Sequence, residues 1–247
     1  MISIVICSKQ KNLCDQLVSN ITETIGCHYD LQIFADRASI TQAYEEGLAL
    51  SQHPIFLFVH EDILFHTKNW GAILVSHFKK NCQLGLVGIA GSKSKTFIPS
   101  AWWDCPEEDK VIRIIQNKPN GSKEDQNQGF GSEKIVEVAI IDGVFMALHK
   151  ESGAHFDQTL TGFHGYDLDI SLAVQEKGYK VAVIPEIVVE HYSLGNLHQG
   201  WLSAILHVHR KYKHVLPIHL GSTGIGQEFN NLIQLFKYYV NLVRKNS

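Results

Sequence analysis

Pro54-Ile-Phe-Leu-Phe-Val-His-Glu-Asp62 is the stretch whose reading decides the fold. Five apolar residues, rich in aromatic and β-branched types and entered through a proline, predict a strand buried on both faces of a parallel sheet. The run then breaks into His60, Glu61 and Asp62. In open α/β sheets ligands bind outside the carboxyl ends of the strands, so acidic and imidazole groups parked there are candidates for holding a cation or a substrate. The bland alternative is that Asp62 caps a turn and His60 is a satisfied, half-buried histidine.

Outward from this strand, apolar runs alternate with helix-period segments. Ile2 to Cys7 reads as a strand, Asn12 to Ile25 as a helix, Leu31 to Ala35 as a second strand, and Ser39 to Ser51 as a helix with Ser39 as its cap. Asn69 is placed to cap a helix from Trp70 to Lys80, and Leu84 to Ala90 follows as a fourth strand. This repeated βα order predicts a Rossmann-type, mainly parallel α/β sheet with flanking helices. From Gly91 to Ser132 periodicity fades and polar residues dominate, the signature of a functional or mobile loop. Strand-like runs return at Lys134 to His149 and Lys180 to His191, with a helix from Asp167 to Glu176 between them, closed by Gly178.

Beyond His191 the pattern is helical, clearest at Trp201 to Tyr212 and Glu228 to Arg244. The last helix carries Leu232, Leu235, Phe236, Tyr239, Val240 and Val243 on one face. That face is expected to pack on the domain or on a second subunit of a homodimer, with peripheral membrane contact as the alternative. Residues 1–215 are thus read as one catalytic domain and 216–247 as a C-terminal helical appendage.

Composition sets the outer limits. A chain of 247 residues with 45% hydrophobic and 19% charged content is globular, and a formal net charge of −3 without a basic stripe excludes a sequence-independent grip on nucleic acid. Cys7, Cys14, Cys27, Cys82 and Cys105 are odd in number and lack a Cys-x-x-Cys spacing, which argues against a zinc site or a disulfide framework. Met1 leads straight into a strand-like run, so a reducing cytoplasmic location is expected, with the membrane-peripheral variant left open by the last helix.

Two further constellations join His60-Glu61-Asp62. In Gly162-Phe-His-Gly-Tyr-Asp-Leu-Asp169, Asp167 and Asp169 open a helix after a glycine-flanked turn, with His164 and Tyr166 alongside. One carboxylate suffices to cap a helix, which leaves the other to face a cleft as a general base. In Glu190-His191-Tyr192 another apolar run ends in a histidine, the commonest neutral transition-metal ligand.

The order of these features resembles the family 2-type glycosyltransferases of the GT-A fold, and more closely the bacterial subgroup in which the Asp-x-Asp motif is written His-x-Asp. The resemblance spans roughly residues 1 to 215, on His60-Glu61-Asp62 and Phe163-His-Gly-Tyr-Asp-Leu-Asp169. It implies that Asp62 binds the divalent cation, Mn²⁺ or Mg²⁺, bridging a nucleotide sugar's diphosphate. It also implies that His60 stands where the first aspartate lies and that His191 completes the metal site. Asp167 falls on the catalytic base, and Asp36 and Ser8 fall in the nucleotide pocket.

Glu61 and Asp142 are grouped with that donor side, while His164, Tyr166 and Trp201 are grouped with the acceptor. Trp201 follows the Ser193–Asn196 turn, where it is placed to stack on a sugar. The chain departs from the family pattern at Tyr166, which replaces the glutamate of a Glu-Asp pair, and at Glu45, where many members have asparagine. The implied activity is inverting transfer from a nucleotide diphosphate sugar to a glycan or lipid-linked acceptor. The alternative, motivated by His60 and Tyr166, is a catalytically silent nucleotide- or glycan-binding protein of the same fold.

Overall fold

The computed structural model describes the chain apart from residues 52, 194, 196, 197, 222–224, 246 and 247, and apart from the side chains of 225 and 242–245. The N-terminal half builds the frame. Strand β1 (Ile2–Ser8) and helix α1 (Lys11–Thr24) lead to β2 (Tyr29–Ala35), α2 (Ile40–Leu50) and β3 (Ile55–Val59). Ile55 to Val59 are all buried, as a run apolar on both faces requires. β1 pairs in parallel with both β2 and β3. Ser39 precedes α2, but its hydroxyl donates to the Leu160 carbonyl (3.0 Å) and makes no capping bond to the helix.

After the short β4 (Ile63–Phe65) comes α3, which spans Trp70–Lys80 as expected. Asn69 at its start makes no side-chain cap; its backbone lies in the left-handed region at φ 58°. The chain continues through β5 (Leu84–Gly88), β6 (Ala90–Ser92), β7 (Ser94–Lys95), β8 (Lys110–Asn117), β9 (Lys123–Gln128), β10 (Val136–Glu137), β11 (Ile140–Ile141) and β12 (Phe145–His149). It closes with α4 (Tyr166–Glu176), β13 (Lys180–Val183), β14 (Val189–His191), α5 (Gln199–Tyr212), β15 (Ile218–His219) and α6 (Ile225–Lys245).

The main sheet has the order β10-β13-β5-β12-β3-β1-β2. β5 does not lie beside β3, because β12 is inserted antiparallel between them. A second sheet, β11-β6-β8-β14-β4 with β9 on β8, takes β6, β8 and β9 from residues 90–128, where a functional or mobile loop was expected. The cause of the difference is local. β9 is a polar, mostly exposed edge strand, Lys-Glu-Asp-Gln-Asn-Gln, with no apolar periodicity to announce it. β8 pairs with β9 on one side and with both β6 and β14 on the other. That pairing carries β14, and with it His191, to the carboxyl edge of β3.

α6 differs from the expectation in what covers it. Among its described side chains Asn231 is buried and Leu235 and Tyr238 pack on the core, whereas Leu232, Phe236 and Tyr239 are exposed. Val243 lies outside the described side chains.

Candidate metal and transfer site

Three side chains from two segments, the β3–β4 turn and the end of β14, converge at the carboxyl edge of β3. His60, Asp62 and His191 place ligand-capable atoms within 4.8 Å of one another. Asp62 Oδ1 stands 3.6 Å from His191 Nε2 and 3.9 Å from His60 Nδ1. Each imidazole is oriented through its other nitrogen, the arrangement that presents a lone pair to a metal. His191 Nδ1 lies 3.1 Å from Gln116 Oε1, a contact that orients the ring and turns Nε2 toward Asp62. His60 Nε2 is 2.5 Å from the Tyr166 hydroxyl, which leaves Nδ1 toward Asp62. Burial alone would raise the Asp62 carboxyl, but the hydrogen bond and charge of His191 and then the charge of His60 prevail and hold it below the usual carboxylate range. A donor set of one hard oxygen and two imidazole nitrogens suits Mn²⁺ better than Mg²⁺.

Tyr166 is delivered by the turn before α4. Gly165 takes φ 74°, a conformation open to glycine, and reverses the chain so that the first turn of α4 faces the strand edge. Gly143 makes room for the ring. A Cβ there would meet the Tyr166 hydroxyl oxygen at 2.2 Å, so the glycine is what allows the phenol to reach His60. The tyrosine standing in place of an acidic residue therefore acts as an orienting partner of the imidazole.

Beside this cluster lies a cavity of about 150 Å³ walled by His60, Trp102, Trp103, Asp142, Asp167 and Trp201, among others. Burial, and then the charge of Asp142, pushes the Asp167 carboxyl up to about 7, against the backbone N–H groups of Leu168 and Gly143 that favour its charged form. Asp142 is itself engaged. Its Oδ2 accepts from the Trp102 indole (2.7 Å) and its Oδ1 from the Val144 N–H (2.8 Å). Trp102 thus closes one wall through a carboxylate, a contact that nothing in the local sequence announces. Trp201 also lines the cavity, but it is buried with its ring against Tyr238 at 4.8 Å. His164 sits at the rim, bonded to His198 (2.9 Å).

The structure groups the remaining candidates differently. Ser8 donates to Glu61 Oε2 (2.6 Å), and the same carboxylate accepts the N–H groups of Lys9 and Gln10 (3.1 and 2.9 Å). Ser8 and Glu61 therefore brace each other across β1 and β3. Asp36 is exposed beside them, its N–H bonded to the Ser8 carbonyl (2.9 Å). All three lie on the same sheet edge as the triad but not in the cavity wall. The turn from Ser193 to Asn196 includes Leu194 and Asn196, which lie outside the described residues.

Asp169 faces away from the cavity. Fully buried, it accepts from Lys211 Nζ (2.7 Å), the Tyr212 hydroxyl (3.1 Å) and the Asp157 N–H (3.0 Å), and so ties α4 to α5. Lys211→Met should therefore lower stability by about 1–3 kcal/mol, since it strands a buried carboxylate whose partner is itself partly exposed. Denaturant unfolding measures this, and an unchanged midpoint would contradict the assignment.

The fold has known counterparts. A family model described as "Glycosyltransferase like family" matches residues 1–211. No curated sequence matches the chain at a significant level. Among solved structures, GalNAc-T7 with UDP, GalNAc and Mn²⁺ is similar with a TM-score of 0.54 at 13% identity, covering 81% of this chain and 44% of that one. The mannosyltransferase PcManGT from Pyrobaculum calidifontis, in complex with GDP-Man and Mn²⁺, gives 0.55 at 12% identity over 95% of this chain and 69% of that one. TarS 1-349 from S. aureus gives 0.54 at 9% over 99% and 73%. The chain spans less than half the length of the first of these and about seven-tenths of the other two. The shared architecture is GT-A, and with the family model covering residues 1–211 the chain belongs to the glycosyltransferase-like family.

Proposed function

We propose that this protein transfers a sugar from a nucleotide diphosphate donor to a hydroxyl of a glycan or lipid-linked acceptor, with inversion at the anomeric carbon. One observation carries the reading: a His-Asp-His cluster at the carboxyl edge of β3 opens on a cavity holding a buried carboxylate whose proton affinity lies near neutrality. Asp62, His191 and His60 would hold a divalent cation, Mn²⁺ or Mg²⁺, which when bound supplies charge stabilisation for the departing diphosphate. Solved proteins of similar architecture contain UDP or GDP-Man together with Mn²⁺, which supports this role for the cluster.

Asp167 is the general base. As the acceptor oxygen forms its bond to the anomeric carbon and the bond to the diphosphate breaks, the hydroxyl proton passes to the Asp167 carboxylate. Attack from the face opposite the leaving group inverts the centre. Tyr166 and Gln116 hold the two imidazoles in place. Trp102 and Trp103 wall the acceptor side with His164 at its rim, and Asp36, exposed just after β2, is the carboxylate that would contact the nucleobase. The silent-binder alternative requires a site without a competent base, and the cavity keeps Asp167 in its wall.

The pH profile tests the base. An Asp167 pKa near 7 means the carboxyl is protonated, and idle as a base, below that pH. Nucleotide release measured as kcat/KM should therefore fall about tenfold per pH unit below an acid limb near pH 7, since kcat/KM reports the free enzyme's essential groups. A flat profile between about pH 5.5 and 8 would remove Asp167 from this role.

A further inference from the structure

α6 presents three sectors, and one of them has no packing partner among the described residues. The inward sector is spent on the cavity's outer wall. The Glu228 carboxylate accepts the N–H groups of Phe97 (2.7 Å) and Ile98 (3.0 Å). Asn231 Nδ2 donates to Thr96 Oγ1 (2.7 Å) and to the Asp104 carbonyl (2.9 Å), while Tyr238 meets Trp201. A second sector is polar, with Asn230, Gln234, Lys237 and Asn241 at helical spacing. The third is apolar and open: Phe229, Leu232, Ile233, Phe236 and Tyr239 are 62, 50, 39, 67 and 59% exposed. Their i, i+3, i+4, i+7 and i+10 positions form one continuous stripe.

Charge says what this stripe faces. From Gln199 onward the sequence holds six Lys or Arg residues against one acid, Glu228, in a chain whose formal net charge is −3. That single acid is turned inward onto the Phe97 and Ile98 N–H groups. Lys237 borders the stripe, and α5, which packs on α6, ends in exposed Arg210 and Lys213. No described helix is long and apolar enough to cross a membrane. An apolar stripe bordered by Lys237, on a non-spanning helix in a base-rich C-terminal region, is the pattern of a helix lying in the plane of an anionic bilayer. A second copy fits worse, because it would bring bases against bases with no outward acid on this helix to pair them.

We propose that α6 docks this protein on an anionic lipid surface, with Leu232, Phe236 and their neighbours entering the headgroup boundary. The inward sector of the same helix holds residues 96–104, which carry Trp102 into the cavity wall, so docking sets the cavity about one helix diameter from the bilayer. The proposal stands apart from the transferase reading, and its test needs no turnover.

The test is co-sedimentation of the full chain with phosphatidylglycerol-containing vesicles and with pure phosphatidylcholine vesicles, at low and high salt. Binding to the anionic vesicles, weakened by salt, is expected. Leu232→Glu with Phe236→Glu should reduce it at least about tenfold, with an unchanged melting temperature because both side chains are exposed. Lys237→Glu should weaken it less while leaving the apolar stripe intact. Wild-type protein that stays in the supernatant overturns the proposal. So does equal binding to both vesicle types, or a solution dimer that the double substitution converts to monomer, which would assign the stripe to a second copy.

Discussion

Asp167→Asn is expected to cost at least about 10²-fold in turnover while nucleotide binding survives. The amide keeps the size of the side chain and can still accept the Leu168 N–H (2.9 Å), but it cannot take a proton from an acceptor hydroxyl. The same substitution should make the protein more stable at alkaline pH. The carboxyl has an ordinary value of 3.8 but ionises near 7 in the folded chain, because burial and then Asp142 oppose its charge. A raised acid costs stability as pH climbs through that window, and the cost is complete above it. Asparagine removes the cost, so the variant should gain up to about 4 kcal/mol at pH 8 and lose that advantage toward pH 4. Loss of activity with a gain of stability separates a strained catalytic group from a structural one. Asp169→Asn is the contrast, since its carboxylate bonds Lys211 and Tyr212 outside the cavity. If Asp167→Asn retains turnover and Asp169→Asn loses it without unfolding, the base has been assigned to the wrong aspartate.

Asp62→Ala should abolish metal-dependent stabilisation by nucleoside diphosphates. Asp62 supplies the one carboxylate of the triad and lies between both imidazoles. A ligand present at a hundredfold over its dissociation constant stabilises the native state by about 2.7 kcal/mol, a readily measured rise in melting temperature. UDP, GDP and TDP, each with Mn²⁺, provide the survey, with chelator as the blank. The variant should show no rise with any of them. A rise that persists in Asp62→Ala, or that ignores chelator in the wild type, would place the cation elsewhere.

Much of the frame was legible because its signals are local. The Ile55–Val59 run is buried throughout, and the helix expected at Trp70–Lys80 has those bounds. What was not legible depends on pairing at a distance. Nothing in Phe145–His149 says that it inserts between β3 and β5, and the six polar residues of β9 carry no mark of a strand. The site shows the same division. His60 and Asp62 lie in the turn that follows β3, His191 ends β14 and Asp167 opens α4, and those positions are readable. Gln116 on His191, Trp102 on Asp142 and Tyr166 on His60 come from segments whose approach is set by tertiary packing. Ser8 and Glu61 were each read as facing a ligand, but they bond each other because adjacent parallel strands end side by side. For α6, periodicity marked an apolar face without saying what covers it, and its inward contacts are largely the polar ones of Glu228 and Asn231.

The most direct test of the transfer centre is nucleotide release from a panel of nucleotide sugars, assayed with Mn²⁺ and with chelator. Release from at least one donor is expected, dependent on Mn²⁺, accelerated by acceptor and lost in both Asp62→Ala and Asp167→Asn. Metal-dependent nucleotide binding without release from any donor, with or without acceptor, would contradict the account and leave a binding protein built on the same fold.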